Sequence, residues 1–322
     1  MDFHFTEKAP HETGFSEFYD VEIAPVFRNM EATRSEAIEK NRRTLILLGA
    51  AVFLFSCAAG VKVHPAFALV PLFFGGCLAL VLYQDRGKHV QKELTRLLRP
   101  MLCRFLGQMT FHETVPAHYL PLDRLRQLGL LPRSDRTSLD LSVSGTWQNV
   151  KYKMTKARCV DTHKDHNDRQ RHTTLFRGVV LEIDCPTNMP LVVFTRDFGE
   201  SLNKLYYWAG RAHLPEHKLD LQDDRLEQIF EVYTDNPDAA AEVLGAQFAQ
   251  ILVDLAQEHQ AGKRYVAAAF EGRKFYLALS LPHDLLNLNV AQQPLNTCNG
   301  KLRAALADLV VPRRVIDALT GA

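Results

Sequence analysis

Residues 44–61, TLILLGAAVFLFSCAAGV, contain no charged side chain, and after Lys62, Val63 and His64 the run 65–83, PAFALVPLFFGGCLALVLY, contains none either. At a rise of roughly 1.5 Å per helical residue, each run is about long enough to cross a hydrocarbon layer roughly 30 Å thick. The pair predicts a two-helix transmembrane hairpin. Pro71, Gly75 and Gly76 fit such a hairpin, because small residues let helices approach closely and a neighbouring helix satisfies a local kink. A cleaved leader is the weaker reading, since the first run starts only at Thr44 and the second follows at once. Two helices buried in a globular core are the other competing interpretation.

Charge on either side of the runs suggests an orientation. Lys40, Arg42 and Arg43 precede the first run, Arg86, Lys88, Lys92 and Arg96 follow the second, and the connector holds only Lys62. Because cations stay on the cytoplasmic side, this predicts a multi-pass protein of the cytoplasmic membrane with both termini in the cytoplasm and the lipid bilayer as its first partner. Over the whole chain, 38 Lys and Arg nearly cancel 37 Asp and Glu, so no basic field points to nucleic acid and no acidic tract to a solvating tail. The cysteines, Cys57, Cys77, Cys103, Cys159, Cys185 and Cys298, form no CxxC pair or disulfide framework and read as reduced thiols.

On the N-terminal side, residues 1–14 have no period and read as a loose tail. A helical pattern starts at Phe15, with Pro25 suited to a first turn and Phe27, Met30 and Ile38 at roughly helical spacing. On the C-terminal side, Val90, Leu94, Leu97, Met101 and Phe105 make an apolar helical stripe near Pro100. Leu139, Leu141 and Val143 alternate with Asp140, Ser142 and Ser144, and Val150, Tyr152 and Met154 alternate with Lys151 and Lys153. Both stretches read as half-buried strands. Leu175 to Ile183 gives a third strand, and Leu191 to Thr195 a fourth after the turn-forming Pro186 to Pro190.

Further on, Ile229 to Thr234 predicts a strand, and Asn236 with Pro237 caps a helix carrying Leu244, Phe248, Ile251 and Leu255 on one face, ended by Gly262. Arg264 to Phe270 and Lys274 to Leu281 are expected to pair as a hairpin around Glu271 and Gly272. Leu302 to Leu319 closes the chain as helix around Pro312. Strands in hairpins with segregated helices give an α+β fold with an antiparallel sheet. The expected division is an N-terminal tail and helix over 1–43, the hairpin over 44–83, a membrane-proximal helix over 84–110, and the α+β domain over 111–322.

The segments FSEFYDVEIAPVF, LFRGVVLEID, FEVYTDNPDAAAEVLGAQFAQILVDL and KRYVAAAFEGRKFYLAL, in that order around the two apolar runs, make the chain similar to the bacterial DUF3137 family of uncharacterised membrane proteins. The resemblance extends from about Phe15 to Leu319 and rests on apolar patterning more than on diagnostic signatures. It implies a bacterial inner membrane protein and brings no catalytic residues with it.

The conspicuous polar constellation is VDTHKDHNDRQRH, in which His163, His166 and His172 accompany Asp165 and Asp168. Imidazole and carboxylate suit zinc or another divalent ion, but a solvated hairpin tip has the same composition. No GxxxxGK[ST], GxGxxG or GxSxG occurs, so phosphate loops and nucleophile elbows have no support and no cofactor is implied. Trp147, Trp208, Tyr206 and Tyr207 are candidate partner anchors or core residues.

The absence of a catalytic signature favours a membrane-tethered, cytosol-facing interaction or scaffold protein with a protein partner and no nucleic acid. A homo-oligomer stays open, since a single hairpin without intramembrane charge offers no ion path. The alternatives are a tethered metal-dependent enzyme using the histidine loop and a lipid-headgroup sensor using the basic helix between Arg86 and Arg104.

Overall fold

The structure, a computed structural model, describes residues 3–62, 92–107, 109–116, 118–164, 170–196, 214–219, 224–244, 246–259, 266–283, 285–286 and 294–321. The chain divides into two compact units, Met1–Phe105 with Leu286–Leu306, and Leu106–Leu285 with Ala307–Ala322.

In the first unit, helix α1 (Phe15–Phe18) passes through a π-helical turn, Tyr19–Ile23, into helix α2 (Ala24–Lys62). The wide turn lies just ahead of Pro25, which lacks an N–H and would crowd the carbonyl four residues back in a regular helix. The expected loose tail is instead docked. Phe3 and Phe5 are buried, Phe5 meets Phe15 edge-on at 4.7 Å, and Phe15 meets Phe105 at 4.8 Å. Phe105 lies on α3, residues 92–106. That helix buries Leu94, Leu98 and Leu102 while Leu97 is exposed, so the buried stripe runs at steps of four and is rotated from the expected one.

Two buried carboxylates tie this unit together. Glu12 accepts from the Lys8 backbone N–H at 2.6 Å and from Arg303 Nε at 2.6 Å. Burial pushes its carboxyl up, but these donors, the guanidinium charge and the Ala9 N–H outweigh that effect and hold it below the usual range. Glu31 likewise takes Arg34 Nε at 2.9 Å and the Leu295 backbone N–H at 3.1 Å.

The expected transmembrane hairpin is overturned. Helix α2 continues from its charged half straight into the first apolar run, where Ile46 and Leu47 are 60% and 71% exposed. Among the described residues no helix is long and apolar enough to cross a membrane. The described side chains of α2 are dominated by the charged stretch from Arg28 to Arg43, whereas a membrane span asks for about 20 consecutive apolar residues. The expected inner-membrane, multi-pass placement with both termini cytoplasmic rested on that hairpin and is corrected with it. The second expected span, 65–83, and Arg86 and Lys88 lie outside the described residues.

The second unit is built on a seven-stranded antiparallel sheet among the described residues. In chain order its elements are β1 (Met109–His112), α4 (Leu122–Gln127), β2 (Arg136–Trp147), β3 (Val150–Lys164), β4 (Gln170–Arg196), β5 (His217–Leu219), α5 (Asp224–Glu227), β6 (Phe230–Thr234), α6 (Pro237–Val243), α7 (Ala246–His259), β7 (Val266–Ser280) and α8 (Asn299–Thr320), the last shared in sequence between the two units. The order across the sheet is β1-β2-β3-β4-β6-β5, and β7 also pairs with β4. Strands β1 to β4 run as an antiparallel meander, in which β2 and β3 fall on the expected stretches and β1 was not expected.

The central strands differ from expectation. The stretches 175–183 and 191–195 belong to one strand, β4, and 266–270 and 274–280 to one strand, β7, which lies along β4 instead of folding on itself. The two strands bend together, with register shifts between Asp184, Met189 and Val192 opposite Gly272 at φ +58°. A bulge changes the parity of alternation. Ala269 and Tyr276, an odd step apart, therefore share one core face, as do Val180 and Val193.

That face is roofed by Leu120, Leu125, Leu128, Leu130 and Leu131. A second, aromatic cluster joins Phe248 of α7 to Phe270 at 5.0 Å and to Phe275 at 5.4 Å. Asn236 caps α6 as expected, accepting from the Ala239 N–H at 3.2 Å, but the helix breaks at Leu244 and α7 restarts. Helix α8 runs continuously through Pro312.

Candidate functional site

Cross-strand register collects polar residues into a row on one sheet face. Thr110 of β1 pairs with Ser144 of β2, Ser144 with Lys153 of β3, Lys153 with Glu182 of β4, and Glu182 with Tyr276 of β7. A second row, one pleat further along, holds Thr146 paired with Lys151 and Asp184 paired with Lys274. Residues that face each other across antiparallel strands emerge on the same side. The rows therefore form a continuous polar strip at the open end of the face whose other end is roofed by Leu120 to Leu131.

The centre of the strip is Glu182, whose side chain is only 6% exposed. Its Oε1 receives Lys153 Nζ at 3.1 Å and Lys274 Nζ at 2.8 Å, and Lys274 also reaches Asp184 Oδ1 at 2.6 Å. Lys153 donates to the Tyr119 carbonyl at 2.9 Å and lies 4.8 Å from the centre of the Tyr119 ring. Burial pushes the Lys274 ammonium down, but hydrogen bonds to Asp184 and Glu182 and their charges reverse this and hold it above the ordinary lysine range. The phenol of Tyr276, buried and close to the Glu182 charge, is pushed up to about 12.

Two cavities open over the strip. One, about 430 Å³, is lined by Thr110, Tyr119, Ser144, Thr146, Lys153 and Glu182. The other, about 580 Å³, is lined by Gln148, Asn149, Cys185, Pro186 and Arg273. Lys151, Asp184 and Lys274 line both. Arg273 Nη2 donates to the Pro186 carbonyl at 2.9 Å.

The far wall is fixed by α8. The β2–β3 turn places Gln148 and Asn149 at φ +47° and +64°, a conformation that its flanking strands require of a two-residue hairpin. Trp147 Nε1 donates to Asp317 Oδ1 at 2.6 Å, Gln148 Nε2 to the same oxygen at 2.9 Å, and the Arg313 guanidinium stacks 4.3 Å from the Trp147 ring centre. Trp147, a candidate partner anchor in the sequence, is thus engaged within its own unit. Trp208, Tyr206 and Tyr207 lie outside the described residues.

Covalent chemistry has little foothold in the cleft. An ammonium held protonated is neither base nor nucleophile. Burial raises the Cys185 thiol to about 11, away from the thiolate needed for attack. Ser144 Oγ lies 3.3 Å from His112 Nε2, but among the described residues no carboxylate orients that imidazole as nucleophilic catalysis requires.

The histidine loop is only partly described. His163 pairs with Arg171 and His172 with Thr162, adjacent positions of the β3–β4 ladder. Adjacent positions point to opposite faces, so the ladder separates His163 from His172 instead of converging them. Thr162 Oγ1 contacts His172 Nδ1 at 3.1 Å. His166 lies outside the described residues, among which no group of three His, Cys, Asp or Glu residues is arranged to hold a metal.

The strip residues were not singled out by sequence reading. Alternating Lys151 and Lys153 marked a polar face, but Glu182, Asp184 and Lys274 join it only through strand register.

The family model described as "Protein of unknown function (DUF3137)" matches residues 174–320. No curated protein matches the chain. Among solved structures, the crystal structure of the mycobacterial trehalose monomycolate transport factor A, TtfA, is similar at 13% identity with a TM-score of 0.35, over 69% of this chain and 92% of that chain. A likeness of that level supports no functional argument.

Proposed function

We propose, from the premise that the chain belongs to the DUF3137 family through residues 174–320, that it is an interaction or scaffold protein whose second unit receives a protein partner in the cleft over β3, β4 and β7. The observation that carries this reading is the Glu182 bridge. One nearly buried carboxylate holds Lys153 and Lys274 on a rigid sheet, which keeps the floor of the cleft charged, hydrogen-bonded and fixed in place. A preorganised polar floor loses little freedom on binding, so more of the contact energy appears as affinity. The same pairing holds the Lys274 ammonium above the ordinary lysine range and thereby removes it from acid–base work.

Photo-crosslinking in the source cells tests the proposal. A photoreactive residue introduced at Thr146 or at Asn149 is expected to capture the same protein, and one at the exposed Glu216 ahead of β5 is not. Equal capture from all three positions, or capture from none, rejects the cleft as the interaction site.

A further inference from the structure

We infer that the occupant of this cleft is an extended acidic segment of a partner protein, an inference that rests on the recognition role proposed above. The charge lining the two cavities is uneven: Lys151, Lys153, Lys274 and Arg273 stand against Glu182 and Asp184 alone. Both carboxylates are already engaged by Lys153 and Lys274. Lys151 has no ion-pair partner among the described residues, and the contact of Arg273 there is a neutral carbonyl. Two cations are thus left to an incoming ligand, on β3 and β7 with β4 between them, about 10 Å apart by strand spacing.

The chemistry between these cations selects a peptide over other polyanions. A nucleic acid or polyphosphate presents closely spaced charges and is matched by an unbroken cationic track. Here Glu182 and Asp184 interrupt the track and would repel every charge that is not spaced to avoid them. A main chain, by contrast, presents N–H donors to these carboxylates and carbonyl acceptors to the Ser144 and Thr146 hydroxyls and the Gln148 and Asn149 amides. The row crosses five strands from Thr110 to Tyr276, four spacings of about 4.8 Å or about 19 Å in all, which is the length of roughly six extended residues. Glutamates two or three positions apart on such a segment lie roughly 7–10 Å apart and reach Lys151 and Arg273 together.

The test uses the full-length chain and fluorescent peptides of about ten residues with glutamate at every second or third position, beside lysine counterparts and inorganic polyphosphate. The acidic peptides are expected to bind, and the double variant Lys151→Glu with Arg273→Glu to weaken them at least about tenfold. Raising the salt concentration is expected to weaken them as well. Lys151→Arg with Arg273→Lys is expected to retain binding, and unchanged melting temperatures exclude unfolding as the cause. Polyphosphate or lysine peptides binding in preference to the acidic ones would overturn the inference. So would a photo-captured partner whose cross-linked segment is not acidic, an outcome that leaves the recognition role standing. Failure of both peptide binding and photo-capture removes that role together with the inference.

Discussion

Replacing Gly178 with alanine probes the closest approach in the sheet. Gly178 lies on β4 between Ala157 of β3 and Ser280 of β7, and a Cβ added there would collide with the carbonyl oxygen of Leu279 and stand 2.7 Å from Ser280 Cα. The obstructing atoms are backbone, so no rotamer change relieves the clash, and β7 must retreat by about 1 Å to restore ordinary contact. That retreat stretches about two ladder hydrogen bonds at roughly 1 kcal/mol each, with overpacking strain of about 1–2 kcal/mol. The lower entropy of the unfolded alanine chain offsets about 0.5–1 kcal/mol, leaving a net loss of about 3 kcal/mol. For a unit of about 200 residues (Leu106–Leu285 with Ala307–Ala322), this lowers the melting temperature by about 6–12 °C. Thermal melts and urea titration of the full chain measure it. Gly300→Ala, where an added Cβ meets nothing within 4 Å, is the control and is expected to stabilise slightly because the site is helical. A Gly178→Ala protein that melts within about 2 °C of the wild type would refute the reasoning.

The depressed carboxyl of Glu12 stabilises the fold fully above its unfolded pKa of about 4.3, and that contribution is lost as pH falls through the lower folded value. Melting temperature is thus expected to decline below about pH 5, with a shallower acid slope in Glu12→Gln. Asp317→Ala deprives Trp147 and Gln148 of their shared acceptor and is expected to cost about 1–3 kcal/mol in urea titration, with faster hydrogen exchange in the last turns of α8. The buried thiols Cys103, Cys185 and Cys298, each pushed up to about 11 by burial, are expected to resist alkylation near neutral pH until denaturant is added. Mass spectrometry of labelled peptides checks this, and rapid native labelling of Cys185 would contradict the buried placement.

Local pattern made several elements legible. Asn236 and Pro237 announced a helix start through the cap and the fixed φ of proline, and alternation from Leu139 to Met154 announced β2 and β3. Other elements were obscured because tertiary packing outweighed local signals. Pro186 to Pro190 and Glu271–Gly272 carry turn chemistry, yet β4 and β7 each continue as one strand through a shared bend, because each has the other as a ladder partner on both sides of it. The N-terminal residues have no period, but two phenylalanines and one carboxylate suffice to dock them, since Phe5, Phe15 and the Glu12–Arg303 pair are contacts between distant parts of the chain. The reading of 44–83 counted uncharged residues. That count establishes apolar composition, whereas crossing a bilayer is a property of a folded helix, and among the described residues no helix meets it.

The cleft was hidden for a different reason. Its defining residues, Lys153, Glu182 and Lys274, are 29 and 92 positions apart in sequence, and each is unremarkable alone, a polar residue on a strand. Only the registers Lys153↔Glu182 and Asp184↔Lys274 bring their charges within ion-pair distance. A single-residue slip of β7 along β4 would turn Lys274 to the aromatic face and Phe275 to the polar strip. That slip would strand an ammonium beside Phe248 and expose a phenyl ring to the cleft. The coupled bulge near Gly272 holds the register against it. The feature that made the strands hard to delimit in sequence is therefore the feature that assembles the site, and it links the Gly178 and Lys151/Arg273 experiments. Perturbing β4–β7 spacing is expected to weaken peptide binding even though Gly178 lines neither cavity.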